Sequence, residues 1–506
     1  MHERQPDVAL RSTTGRWLML VTVIGSGMVF LDSTVVNVAL PSIGRAFHAS
    51  TGALQWVLSG YLLSLASLIL LGGSLGDRLG RRRVFVAGAV VFTCGSLACA
   101  VAPSVGLLIA ARILQGVGGA LLTPGSLAMI EAVLREEDRP RGIGAWSGMT
   151  GVATALGPLV GGYLIAAVSW RAAFLINLPL GVLVVAVADH VPETTGEVTR
   201  GGLDVRGAVL AFVALAGVTF ALIEGPAGGA QLAVALAAAA GVLAALAFVV
   251  VERHSASPML PLDIFTRQFT AANVLTLVIY AAFGGVFFLL VAFLQISLGY
   301  SPLAAGAATL PITLLMLLLS SRAGMLAQRI GPRLPLTAGS LVVAAGMFLM
   351  IRIDPGDSYA ASVLPAVAVF GAGLTLVVSP ITATVLASAS ERRAGIASAV
   401  NNAVARVAGL FAVAFLPALA GLTGHRFYVP AAMTHGFHVA VFACALLAVV
   451  GAVVAWFTID NAVLQPRGTL DTACGPGGEP AYSCAVGAPP LRPGAEPDPA
   501  PGGLPA

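Results

Sequence analysis

Fourteen stretches of this chain are apolar and about as long as a lipid bilayer is thick, and no other property restricts its fold so severely. A helix rising about 1.5 Å per residue needs roughly 20 residues to cross about 30 Å of hydrocarbon. The runs lie near 17–39, 54–75, 84–102, 105–132, 143–166, 172–190, 205–224, 231–251, 270–296, 303–322, 334–352, 359–388, 396–420 and 435–457. Within lipid, backbone amides must find their partners inside the protein, so such runs fold as helices. Only 10% of the 506 residues are charged, against about 25% in an ordinary soluble domain. So few charges cannot cover a water-facing surface of this size. The expected class is an all-α integral membrane protein.

A second feature divides the chain. The decapeptide GSLGDRLGRR (73–82) returns 251 positions later as GMLAQRIGPR (324–333), both reading G-x-L-x-x-R-x-G-x-R. One copy follows span 2 and the other span 10. A short basic turn repeated at half-chain distance marks two parallel halves. Six spans per half leave spans 7 and 8 as an inserted hairpin. The boundaries expected are 1–190 for the first bundle, 191–258 for the hairpin and its flanks, 259–457 for the second bundle, and 458–506 for a tail. Thr123-Pro124 in span 4 is echoed by Ser379-Pro380 in span 12. Residues 466–506 hold ten prolines and eight glycines, a composition that buries too little surface to offset ordering, and disorder is expected there.

All 27 basic residues are arginine, and 21 of them fall in loops and tails on the side of the two termini. The opposite loops hold only Arg45, Arg171, Arg352 and Arg426, while Arg112 and Arg406 lie within spans. Positive loops stay in the cytoplasm, so both termini are expected there, in a bacterial cytoplasmic membrane. The spread of arginines over short loops does not point to nucleic acid. Cys94, Cys99 and Cys444 sit in spans and Cys474 and Cys484 in the tail, with no zinc or disulfide spacing. The first apolar run is too long for a signal-peptide core. GVGGA (116–120) lies inside an apolar helix with no preceding strand, so it is not a dinucleotide loop. No Walker sequence and no HExxH is present, so neither ATP nor a metal is implied, and no enzyme activity.

Five stretches together are similar to the major facilitator superfamily, and within it to the fourteen-span drug:proton antiporters. LDSTVVNVALPSI (31–43) resembles the first-span signature, GSLGDRLGRRR (73–83) the loop 2–3 motif, and RILQGVGGA (112–120) the fourth-span motif. GVATALGPLVGG (151–162) resembles the antiporter motif of span 5, with Ala153 where that motif carries glycine, and WRAAFLINLPLG (170–181) enters span 6. The resemblance covers about residues 17–457. It implies two six-helix bundles, export of hydrophobic or amphipathic compounds by alternating access, no cofactor beyond the proton gradient, and function as a monomer.

Residue chemistry gives the site expectations. Asp32 lies mid-span, where a charged side chain costs roughly 2.5–3.5 kcal/mol on insertion scales and is seldom kept without a role. It is the candidate proton carrier; the alternative is a structural hydrogen bond to Thr34 or Asn37, or a fixed ion pair. Arg112 falls at the same depth in span 4, as its candidate partner, with Gln115 one turn on. Asn37, Gln115, Asn273, Tyr280 and Gln295 are candidates for the substrate cavity. Arg406 reads as bonded to carbonyls or to Asn401/Asn402, Glu224 as interfacial, and His435 and His438 as interfacial. In the loop motif Gly73, Gly76 and Gly80 permit a tight turn. By the resemblance, Asp77 accepts amides at the start of span 13, near Ala394–Ser398, when the cavity faces outward. Arg78 and Arg82 join it with Glu131 as counter-ion; the second copy has Gln328 in place of Asp77. In span 5, Gly144, Gly148, Gly151, Ala155, Gly157, Gly161 and Gly162 offer a small-residue face for close helix contact, and Pro158 invites a bend.

The cargo expected is a small hydrophobic or amphipathic molecule, either many drugs or one self-made metabolite. A non-transporting membrane sensor would need a soluble signalling domain, and an intramembrane enzyme a nucleophile–base pair or metal cluster; neither is apparent in the sequence.

Overall fold

A computed structural model describes residues 7–196, 202–255, 258–389 and 393–464. Fourteen of its helices are long and apolar enough to cross a membrane. They are α1 (Thr13–Phe47), α2 (Thr51–Leu79), α3 (Arg81–Val101), α4 (Val105–Val133), α5 (Arg139–Ala167), α6 (Ala172–His190), α7 (Val205–Glu224) and α8 (Gln231–His254). The second half supplies α9 (Arg267–Ile296), α10 (Pro302–Ile330), α11 (Arg333–Met350), α12 (Tyr359–Ala387), α13 (Gly395–Leu419) and α14 (Pro430–Thr458). All fourteen expected runs are helices. Hydroxyl side chains of Ser12, Ser50, Ser104, Thr266 and Ser301 cap the starts of α1, α2, α4, α9 and α10, accepting amides that have no partner within the first turn. Pro124 and Pro380 lie inside α4 and α12, at matching places in the two halves.

The two halves repeat the same pairings. In the first, α1 packs on α5 and α6, α2 on α4, and α3 on α4 and α6. In the second, α9 packs on α13 and α14, α10 on α12, and α11 on α12 and α14. The halves meet through α2 with α13 and α5 with α10, which are equivalent contacts exchanged by the repeat. The hairpin α7–α8 packs on itself and, through α7, on α2 and α13. Only 11% of the apolar window of α8 is buried, so its surroundings are lipid.

The repeated decapeptides adopt repeated backbone. Gly80 and Gly331 close α2 and α10 with φ of 106° and 86°, a region in which a Cβ is strained. Each turn is then tied to the end of its own half. Glu193 accepts the amides of Arg82 (2.9 Å) and Arg83 (3.2 Å), capping α3. Asn461 accepts the amide of Arg333 at 3.1 Å, capping α11. The sequence reading had no residue for either task.

Every hydrogen bond between the two six-helix halves, among the described residues, lies on the side away from the termini. Gln55 donates to the carbonyls of Val413 (2.7 Å) and Ala414 (2.9 Å), Thr51 to Gly424 (2.9 Å), Tyr428 to Ala49 (2.8 Å) and Gln295 to Val38 (3.0 Å). The far side is closed. The expected disordered tail beyond residue 464 lies outside the described residues.

Candidate functional site

A charged centre and a cavity stand out in the apolar interior. The first is entirely within the first half. Asp32 on α1 and Arg112 on α4 are both fully buried, and Arg112 Nη1 donates to Asp32 Oδ2 at 2.5 Å. The equal depth counted along the sequence is thus realised as direct contact. Gln115 Nε2 donates to Asp32 Oδ1 at 2.8 Å, and Asn177 Nδ2 on α6 donates to the same oxygen at 3.2 Å. Ser96 on α3 accepts from both amides, at 2.7 and 3.3 Å. Arg112 gives its Nε–H to Val57 O at 3.1 Å, a further N–H to Gln115 Oε1 at 2.6 Å, and lies 4.3 Å over the Tyr61 ring. Three donors converge on the two carboxyl oxygens of Asp32, which accept from all of them. Desolvating one charge alone would cost several kcal/mol; the pair is tolerable because each charge is both neutralised and hydrogen-bonded. Thr34 and Asn37, the alternative partners for Asp32, instead donate to carbonyls one turn back on α1.

Asn177 and Ser96 complete this centre and were not singled out in the sequence. The signal for Asn177 was available: it is an amide in an otherwise apolar span, inside the stretch WRAAFLINLPLG.

The second centre is a cavity of about 290 Å³ where the halves meet, nearer the side of the termini. Phe30 comes from the first half, and Tyr280, Thr382, Asn401, Asn402 and Arg406 from the second. Tyr280 therefore stands in the wall. The other cavity candidates lie elsewhere. Gln115 belongs to the Asp32 network, Asn273 is a buried support that accepts from Asn401 at 3.3 Å, Gln295 belongs to the far-side seal, and Asn37 bonds its own helix. Arg406 also departs from the sequence reading. Among the described residues it has no hydrogen bond or ion pair, and its guanidinium sits 5.7 Å over the Phe30 ring. Neither amide expected to hold it accepts from its guanidinium among the described residues, and their N–H groups turn elsewhere. Asn401 donates to Thr276 at 2.8 Å as well as to Asn273, and Asn402 donates to Ser398 O at 3.0 Å. Ala and Val dominate the faces around these amides, and residue type alone does not say which way they turn.

The loop motif is resolved into separate contacts. Asp77 pairs with Arg81 at 2.8 Å, and its backbone carbonyl accepts Gly196 N at 2.9 Å; among the described residues it makes no bond to the start of α13 in this far-side-closed state. Arg81 further donates to Ala128 O at 3.0 Å. Arg78 donates to Gly202 O at 3.0 Å, and Arg82 lies 3.6 Å from Glu193. Glu131 forms no ion pair within 4 Å among the described residues; Glu193 and Asp77 carry the negative charge near the turn. Gly73 and Gly76 leave ordinary contact distances of 3.6 Å and 3.8 Å for an added Cβ.

In α5 the small-residue face is used by half. A Cβ on Gly157 would collide with Thr34, one on Gly161 would come within 2.7 Å of Val35, and one on Gly162 within 2.6 Å of Pro302 O. Backbone also approaches at Pro158, whose carbonyl meets Gly306. Gly144, Gly148 and Gly151 have nothing within 4 Å of such an atom. The far-side half of α5 is a tight seam against α1 and α10, whereas Gly144, Gly148 and Gly151 of the other half face open space. His438 Nε2 donates to Ile353 O, 2.9 Å away, and Glu224 accepts from Trp56 at 3.1 Å.

Comparison with known proteins follows the same lines. The Major Facilitator Superfamily model matches residues 22–413. The multidrug resistance protein Stp of Mycobacterium tuberculosis is 36% identical over 391 residues, spanning 76% of this chain and 72% of that protein. The tetracenomycin C resistance and export protein of Streptomyces glaucescens is 34% identical over 405 residues, 79% of this chain and 75% of that protein. Among solved structures, a peptide transporter POT in complex with sulfate superposes with a TM-score of 0.66 at 16% identity, covering 91% of this chain and 98% of that one, a likeness of fold alone.

Proposed function

Since the chain belongs to the major facilitator superfamily, we propose that it exports a hydrophobic or amphipathic drug-like compound by alternating access, in exchange for protons. The observation that carries the reading is one-sided closure: among the described residues the hydrogen bonds between the halves gather at the far side, while the cavity lies toward the termini. The arginine bias supports cytoplasmic termini, and with that orientation the cavity is the cytoplasmic, loading state of an exporter in a bacterial cytoplasmic membrane. The likeness to Stp, a multidrug resistance protein, and to the tetracenomycin C resistance and export protein supports a drug as cargo.

Coupling runs through α1. Phe30 faces the cavity and Asp32 is held by Arg112 two residues further along the same helix. Movement of α1 during the change of access alters both environments together. Protonation of Asp32 from outside releases it from Arg112, and re-formation of the pair inside expels the proton. A ligand or proton shifts such an equilibrium only by its differential affinity for the two states. The driving force is about 1.4 kcal/mol per pH unit plus about 2.3 kcal/mol per 100 mV for one net charge. No cofactor enters the cycle, no step is enzymatic, and a single chain contains the whole pathway.

A narrower reading, export of one self-made compound, is favoured by the cavity volume of about 290 Å³, which stands at the small end of the roughly 300–1,000 Å³ usual for ligand sites. One experiment addresses both. Expression in a pump-deficient bacterial host, with a panel of antibiotics and dyes and with or without an uncoupler, should raise resistance to a subset of compounds only while the proton gradient stands. Correctly inserted protein that changes accumulation of none of them refutes export.

A further inference from the structure

The cavity wall carries one cation that no carboxylate in the wall balances. The spans α9 to α14 contain no Asp or Glu, and the single mid-span acid of the first half, Asp32, is fully buried and consumed by Arg112. Arg406 is the charge left in the cavity wall, with one guanidinium face over Phe30 and no protein acceptor among the described residues. An arginine is protonated at any physiological pH and has no acceptor lone pair, so its donors await an acceptor from elsewhere. The neighbouring amides fix a second part of the pattern. Asn401 and Asn402 spend their N–H groups on Thr276, Asn273 and Ser398. Their carbonyl oxygens are the atoms left for cargo, and these accept from hydroxyl groups. Phe30 and Tyr280 supply aromatic surface on the two sides of the same space.

From these groups we propose that the cargo is an anionic, hydroxyl-bearing aromatic compound, of the phenolate or aryl-carboxylate class, whose charge is met by Arg406. This rests on the export reading only for the statement that the cavity receives the transported molecule. A lipophilic cation is excluded by the same geometry: it would meet a like charge in a low-dielectric wall with no carboxylate to offset it. Planar aromatic cargo also suits a guanidinium, which pairs its edge with oxygen anions while its face lies on a ring.

The test uses two xanthene dyes of one ring system and opposite charge, fluorescein at pH 8 and rhodamine 123, with binding to the purified full-length protein in neutral detergent read by fluorescence anisotropy. Wild type should bind fluorescein at least about tenfold more tightly than rhodamine 123, a ratio set by one charge–charge contact. Arg406→Ala should bring the two affinities to within about twofold, and Arg406→Lys should keep the anion preference. Arg406→Gln replaces the alanine variant should that one fail to elute as a single species. Equal affinities in wild type, a preference for the cation, or retention of neither dye overturns the assignment, as does an Arg406→Gln protein that keeps the full preference. Equilibrium binding needs no transport, so the two failures separate. A protein that confers resistance yet favours the cation loses only the charge assignment; one that prefers the anion but moves nothing in cells loses export.

Discussion

Neutralising Asp32 and Arg112 one at a time and then together separates a coupling role from a purely structural one. Asp32→Asn leaves Arg112 charged and fully buried without a counter-charge, its neutral partners being Val57 O, Gln115 Oε1, the Tyr61 and Phe174 rings and the new amide oxygen. Arg112→Gln strands the carboxylate on the amides of Gln115 and Asn177. Removing one member of a buried pair costs about 3–5 kcal/mol, whereas removing both charges from a well-filled site is often neutral within a few kcal/mol. Thermal unfolding in detergent should therefore show each single variant strongly destabilised and the double variant largely restored. Transport is then measured in proteoliposomes with the compound identified by the susceptibility panel. An imposed difference of two pH units offers about 2.7 kcal/mol, enough for roughly a hundredfold gradient of a neutral cargo per proton. The stable double variant should bind cargo and exchange it down its own gradient, yet build no such pH-driven gradient. If it accumulates cargo as wild type does, the pair is a structural cross-brace and the proton is carried elsewhere.

The seam of α5 makes a positional prediction: Gly157→Val drives branched carbon into Thr34, at an overpacking cost of about 1–3 kcal/mol, and should lower expression and thermal stability. Gly148→Val meets nothing in this state, so it should leave stability unchanged while slowing transport, since the opposite state closes that side; equal damage from both would refute the half-used face. At the far-side seal, Tyr428→Phe removes the 2.8 Å bond to Ala49 O, worth about 1 kcal/mol, and should raise labelling of a cysteine placed at Asn37 by an impermeant reagent several-fold. Burial pushes the Tyr428 phenol up to about 12. A raised value means the neutral form is favoured in the fold, so this contact persists below about pH 10 and is lost only toward pH 12; a Tyr428-dependent change in labelling between pH 6 and 8 would contradict it.

The spans, their number and the pairing of the halves were legible in the sequence because lipid permits one answer to a 20-residue apolar run, and because the decapeptide repeat set the symmetry. The contact between Asp32 and Arg112 was legible for a related reason: counting residues from a membrane boundary gives depth, and two opposite charges at equal depth in apolar surroundings find each other. Depth does not give azimuth. Gln115 and Tyr280 are both polar mid-span residues, yet one turns into its own bundle and the other toward the junction. The same limit hid Arg406, whose freedom follows from Asn401 turning to α9 rather than to its helical neighbour. Glu193 was missed because it sits in a loop of ordinary composition, and only the fold brings it to the start of α3.

The clasp formed by Glu193 on one turn and Asn461 on the other has a mechanical consequence. Each joins the last segment of a six-helix half to a loop near that half's beginning, so each half is a closed ring in which the final helix cannot peel away from the rest. A pivot between two such rings can be pushed repeatedly without loosening either. The ring that contains the Asp32 charge is fastened by a carboxylate among arginines and the other by a neutral amide, so salt should soften the first buckle and spare the second.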